Sequence, residues 1–263
     1  MSFVHLRLHT EYSLENGLVR IEKKKSPSPL MEALQAGEMP AVAVTDLGNL
    51  FAVVKFYRAA TGAGIKPIFG TEVRIHPKEE SGLESRLILL AQNDSGFKNI
   101  KTLVSRSFIE GQRRGVPQLE RAWFEGLTEG VICLSGGRSG DVGLALLADE
   151  QEQAERYLQQ WSVLFPGRYY IELQRTERSG DENWNHAAVA LAEQHQLPVV
   201  ATNDVHFLKP DEFDAHEARV CIHDGRVLDD PRRPKNFTNQ QYLKSAEEMK
   251  ALFADLPEAI ENS

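Results

Sequence analysis

An α/β fold wound into a closed or nearly closed barrel is predicted for this chain of 263 residues. Three observations predict it. The length suits one large α/β barrel better than an ordinary domain. Short apolar runs alternate with amphipathic helical patterns along most of the chain. Several of these runs (AVAVT from Ala41, RLILLA from Arg86, LPVVAT from Leu197) are almost continuously apolar. Parallel strands covered on both faces have that composition. A doubly wound open sheet satisfies the same alternation, and periodicity does not separate the two.

The elements follow in order. Strands are read at Phe3–Leu8, Ala41–Thr45, Pro67–Arg74, Arg86–Ala91, Val131–Leu134, Tyr169–Leu173 and Leu197–Ala201. The nearest approach to a linker, EKKKSPSP (Glu22 to Pro29), leads into a helix. Ser28 is its candidate N-cap, Pro29 its first residue and Gly37 its stop. Further helices are read at Phe51–Ala60, Phe97–Glu110, Gln151–Leu164 and Glu182–His195, where apolar residues recur three and four apart. No repeat and no low-complexity tract is present.

Composition excludes some functions. With 41% hydrophobic and 26% charged residues the chain has the balance of a soluble globular protein. No apolar run reaches a membrane span, and MSFVHLRLHTEYS lacks a signal-peptide layout, so a cytoplasmic location is expected. Cys133 and Cys221 sit in apolar stretches without a CxxC partner, which predicts buried thiols. A formal charge of −8 argues against binding a nucleic-acid backbone unaided. The basic clusters Lys23-Lys24-Lys25, Arg113-Arg114 and Arg232-Arg233-Pro234-Lys235 read as solvated loops.

The strand ends carry the chemistry. The first strand runs into Arg7 and His9, the second into Thr45 and Asp46, and the third carries Glu72. The sixth ends in Glu172 and Gln174, and the seventh leads to Asn203, Asp204 and His206. In a βα barrel such ends converge on one face. His, Asp and Glu are the ligands of Zn, Mn or Fe at hydrolytic centres. Asp204 and His206, two apart, can face one ion with His9, and Glu72 can bridge two ions. The plainer alternative has Asp204 capping a following helix and His206 as a satisfied, partly buried ring. SGGRSGDVG (Ser135 to Gly143) reads either as an anion-holding loop or as a tight turn opening a helix. Neither a nucleotide-binding glycine motif nor a nucleophile elbow is present.

These segments together resemble a known family. FVHLRLHTEYSLENGL, MPAVAVTDLGNLFAVVKFY, GIKPIFGTEV, LILLAQNDSGFKNI, LSGGRSGDVG and LPVVATNDVHFLKPDEFDAHEARVCIHDG are similar, in order, to the PHP (polymerase and histidinol phosphatase) domain. The closest form is the one opening the alpha subunit of proteobacterial DNA polymerase III. The resemblance implies a distorted seven-stranded barrel of βα units. It implies one PHP domain over 1–263, with about 225–263 leading towards the polymerase core.

It also implies a metal cluster, most of whose ligands are gone here. His9, Glu72, Asp204 and His206 match ligand positions. Arg7, Leu47 and Arg86 stand where the family has histidine, Asn16 where aspartate is usual, and Gly137 where cysteine or histidine is expected. Leucine cannot coordinate, and arginine stays charged and repels a cation. The expectation is no cofactor, or at most one weakly held Zn or Mn ion, with Arg7 and Arg86 pairing with Glu72 and Asp204. Otherwise both arginines reach solvent at the barrel mouth.

The implied function is a non-catalytic scaffold for the proofreading exonuclease (epsilon) subunit and the remaining alpha domains in DNA replication. DNA-directed polymerase activity then belongs to those domains. The alternative is a residual metal-dependent phosphoesterase, a 3′–5′ exonuclease or a pyrophosphatase. A free-standing small-molecule phosphatase fits less well, because the stretch after Leu228 looks like the continuation towards a polymerase.

Overall fold

The computed structural model describes residues 3–22, 28–77 and 84–263. The run Lys23-Lys24-Lys25, and with it most of EKKKSPSP, lies outside them. Helix α1 (Pro29–Ala36) begins as predicted. The Ser28 hydroxyl accepts from the Met31 amide, Pro29 takes the first helical position, and Gly37 follows the last turn.

Strand β1 (Ala41–Val44), helix α2 (Val53–Gly62), strands β2 (Lys66–Ile75) and β3 (Ser85–Ala91) and helix α3 (Asp94–Ile109) come next. A small hairpin, β4 (Gln112–Arg113) with β5 (Val116–Pro117), puts Arg113 and Arg114 on an exposed tip. Then come β6 (Val131–Leu134), α4 (Asp141–Leu147), α5 (Gln151–Leu164), β7 (Tyr169–Gln174), α6 (Asp181–Gln194) and β8 (Val199–Thr202). Helices α7 (Phe213–Asp224), α8 (Ala246–Leu252) and α9 (Pro257–Glu261) close the chain.

Six strands form one curled sheet, a half-barrel, in the order β1-β2-β3-β6-β7-β8. Two points differ from the sequence reading. First, β3 runs antiparallel to both neighbours, whereas β1–β2, β6–β7 and β7–β8 are parallel. No helical pattern separates Arg74 from Arg86, and an antiparallel pair needs only a turn where a parallel pair needs a crossover. Second, Phe3–Leu8 is not a regular strand. It makes single bridges, His5 to Val42 on one side and Leu8 to Val205 on the other. A side chain interrupts its ladder: the Leu8 amide donates to the Thr45 hydroxyl at 3.0 Å instead of to a carbonyl. The segment still spans the gap between β1 and the stretch just past β8.

Period-two alternation sorts the strand residues. Val42 and Val44 pack outward against α1 and α2, while Ala43 joins Ile88, Leu90, Leu134 and Val200 inside the curl. Leu87, Leu89, Ile171 and Leu173 belong to the outer core beneath α3, α5 and α6. Glu172 lies between two outward residues, and Glu72 pairs in register with inward Ile88. Both carboxylates therefore point inside. Helices α8 and α9 share the outer core through Met249, Phe253 and Ile260. Cys133 and Cys221 are buried free thiols, as expected.

Candidate functional site

One guanidinium occupies the centre of the barrel mouth. Arg7, with 3% of its surface exposed, meets three carboxylates. Its Nη2 lies 2.9 Å from Glu72 Oε2, its Nη1 3.2 Å from Glu172 Oε2 and its Nε 2.9 Å from Asp204 Oδ1. The last is an ion contact, off the line of a good hydrogen bond. Arg86 Nη1 holds the other Glu72 oxygen at 2.9 Å. Arg86 reaches the site because β3 is antiparallel, which brings the beginning of that strand to the face where its neighbours end.

His9 and His206 stack in parallel, ring centres 4.4 Å apart, over the same acids. His9 Nε2 is 3.1 Å from Glu72 Oε2 and 3.5 Å from Asp204 Oδ1, and His206 Nε2 is 3.3 Å from that same Asp204 oxygen. Each ring has its other nitrogen fixed. His206 Nδ1 donates to the Asn16 carbonyl at 3.1 Å, and His9 Nδ1 sits 3.0 Å from the Ser13 hydroxyl. Ser13 in turn donates to Asp46, which also accepts from the Thr10 amide and hydroxyl, each at 2.7 Å. Metal-binding histidines are anchored in this way, with the second nitrogen aimed at the ion.

Burial and charge act against each other here. Burial works to deprotonate His9, but Glu72 and Asp204 outweigh it and raise the imidazolium to about 9. Burial likewise opposes ionisation of Glu72 and Asp204, yet Arg7 first among the cations holds both well below the usual carboxylate range. For Glu172 burial wins and pushes the carboxyl up, even though Thr202 donates to it at 2.5 Å. Burial also pushes His206 down. Arg7, Arg86 and His9 thus face the carboxyl groups of Glu72, Asp204 and Glu172, so side-chain cations stand opposite the acids of the site.

All four matched positions, His9, Glu72, Asp204 and His206, meet in this cluster. Asp204 caps no helix. Its second oxygen accepts from Gln241 at 2.8 Å, and His206 is buried. Arg7 does not reach solvent, while the Arg86 side chain remains 26% exposed. Leu47 is buried, bridged to Glu72 through the backbone. Gly137 has φ +57°, and a Cβ there would come within 3.1 Å of the Gln174 amide, which fills the space a ligand side chain would need. SGGRSGDVG forms a tight 3-10 turn followed by α4, the plainer of its two readings.

The sequence set Glu172 among the strand-end residues of the site but assigned it no role there. Its signal was a lone acid in the apolar run YYIELQ. Gln241, Phe237 and His216 gave no local signal. His216 lies on α7, and Phe237 and Gln241 arrive on the segment after it, which crosses the barrel mouth. Arg233 pairs with Glu217, and Phe237 lies edge-on to His206 and His216 at 5.0 and 4.7 Å. The Thr238 hydroxyl donates to the Thr176 carbonyl, and the Asn203 amide donates to the Gln240 and Tyr242 carbonyls. Beside this strap a cleft of about 660 Å³ opens, bordered by Arg86, Arg138, Arg178 and Lys235 as well as Asp204 and His206.

Comparison with known proteins places this architecture. The family model described as the PHP domain matches residues 5–176. The chain belongs to the PHP domain family. It is 53% identical to the DNA polymerase III subunit alpha of Pseudomonas fluorescens over 262 residues, and 46% identical to that of Escherichia coli K12 over 261. These matches cover 100% and 99% of the chain but only 22% of either relative. In fold it is similar to the solved structure of a candidate metal-dependent phosphoesterase from Bifidobacterium adolescentis, with a TM-score of 0.51 at 10% identity, covering 94% of this chain and 95% of that one.

A multi-metal PHP cluster does not fit these residues. Only His9, Asp204 and His206 bring donor atoms together closely enough for an ion among the described residues. The Asp204 oxygen they share already faces Arg7. Glu72 is held by two guanidinium groups.

A pH dependence follows for this PHP domain. The folded-state value of His9, about 9, lies above its ordinary 6.5. Its contribution is therefore complete below about pH 6.5 and is lost as pH rises through 9, at most about 3 kcal/mol. Urea denaturation at pH 6, 7.5 and 9.5 should show stability falling in the wild type and a flatter profile in His9→Asn. Parallel profiles for the two proteins would refute the assignment.

Proposed function

We propose that this PHP domain is a non-catalytic scaffold of a replicative DNA polymerase III alpha subunit. In this reading it holds the proofreading exonuclease subunit and braces the remaining alpha domains, in the cytoplasm, without binding DNA by itself. The observation that carries the reading is the position of Arg7 among Glu72, Glu172 and Asp204, the acids that line the mouth. A guanidinium supplies in one rigid fork the positive charge that an ion would bring, but it offers no open coordination position for water or phosphate. His9, Glu72, Asp204 and His206 are then vestigial ligands, kept for the stability of the network. The strap that carries Gln241 to Asp204 supports the bracing role, since it ties the pocket to the part of the chain leading into α8 and α9.

The convergence of His9, Asp204 and His206 favours one competing reading, a residual phosphoesterase using a single Zn or Mn ion. The deciding measurement is metal content by plasma mass spectrometry after exposure to Zn and Mn and desalting. The scaffold reading expects far less than one ion per chain and no release of phosphate from pyrophosphate or of nucleotides from a 3′ end. One tight ion, with hydrolysis abolished by Asp204→Asn, would overturn it. Stoichiometric binding of the purified exonuclease subunit tests the partner directly.

A further inference from the structure

We propose that the outer face formed by α2, β2 and α3 docks an acidic segment of a protein partner that also carries apolar side chains. Val54 and Tyr57 on helix α2 and Phe51 in the turn just before it leave 60%, 52% and 61% of their surface exposed. The apolar surface continues across β2. Tyr57 lies 6.3 Å from half-buried Phe69, and Phe69 lies 5.5 Å from Phe97 on α3. Contiguous apolar surface of this kind on a folded chain marks an interaction site.

Charge identifies the occupant. The whole chain has 38 acidic and 30 basic residues, yet residues 51–71 contain no acid, and neither do residues 95–109. Lys55, Arg58, Lys98 and Lys101 are exposed around the aromatic strip. Lys101 rests over the Phe97 ring at 5.3 Å, and among the described residues only Lys55 of these four has an ion-pair partner, Glu22 at 3.5 Å. The outward helices α5 and α6 carry acids instead, among them Glu152, Glu155, Glu182 and Glu193. A cationic rim around an apolar strip complements an acidic, apolar-bearing protein segment. Single-stranded nucleic acid fits less well, because aliphatic Val54 offers no face for a base and the net charge of −8 opposes a long polyanion. This docking face is independent of the Arg7 network.

The test uses the 263-residue chain and a fluorescent helical peptide of roughly 16 residues bearing Glu and Leu on adjoining faces. Binding is read by anisotropy. Binding is expected to weaken at least about tenfold in Val54→Glu/Tyr57→Glu and in the charge reversal Lys55→Glu/Lys101→Glu. It should also weaken between about 50 and 500 mM salt. All four side chains are exposed, so both variants should keep the wild-type melting temperature. No binding by the wild type, wild-type affinity in either variant, or preference for the Lys-for-Glu peptide or for oligo-dT would overturn the proposal.

Discussion

Replacing Arg7 by methionine lowers the stability of the fold by about 3–5 kcal/mol, the cost of leaving buried charges without their partner. Three carboxylates lose their shared cation at once, and none of them can turn to water, since Glu72 and Glu172 are completely buried and Asp204 nearly so. Arg7→Lys recovers little, because one ammonium cannot present three nitrogens to three separate acids as the planar fork does. Chemical denaturation of wild type, Arg7→Met and Arg7→Lys measures this. Adding Glu172→Gln to Arg7→Met should cost less than the sum of the two single changes, because the second removes a charge that the first has stranded. An unchanged melting temperature in Arg7→Met, or strict additivity, would mean that the guanidinium is not the centre of the network.

Glu72→Gln is expected to destabilise by a similar amount, about 3–5 kcal/mol near neutral pH. Glu72 serves three cations, with Arg7 and Arg86 at 2.9 Å and His9 at 3.1 Å. Its loss strands Arg86 and withdraws the strongest attraction holding the His9 proton. The pH dependence must change accordingly. In the wild type the carboxylate sits well below its ordinary range, so its contribution persists above that ordinary value and disappears only as pH falls through the lowered one. The variant should lose that acid-side transition, and the His9 ring should titrate well below 9. Histidine proton resonances followed from pH 5 to 10 provide the check. A ring still titrating near 9 in Glu72→Gln would show that Asp204 alone sustains the proton.

The two substitutions bear on function as well as stability. If the network is structural, both variants lose stability while metal content stays negligible in each. If it conceals a hydrolytic site, removing the guanidinium should instead let ions in. The scaffold reading requires the first pattern.

Much of the fold could be read locally. Ser28, Pro29 and Gly37 defined α1 because capping and proline geometry act within a single turn. Runs such as AVAVT and RLILLA announced strands covered on both faces, and the period-two alternation of β2 and β7 turned Glu72 and Glu172 inward. The residue types His9, Glu72, Asp204 and His206 announced a polar cluster at the strand ends, and Arg7, Leu47 and Arg86 at other family positions led to the expectation of impaired coordination.

What the chain could not declare locally was direction and company. Whether β3 runs with or against its neighbours depends on which backbone ladder it meets, and that choice alone carries Arg86 to the mouth. Phe3–Leu8 had a strand's composition but lost its ladder to the Thr45 hydroxyl, a partner from another element. The same holds for Arg7 among three acids and for Gln241 on Asp204, contacts between residues far apart in sequence. Propensity, capping and alternation are set by neighbours along the chain, so sequence determined the elements and the chemical character of the site. The pairing of buried charges is set by proximity in a medium of low polarity, so only the tertiary structure decided which cation answers which acid.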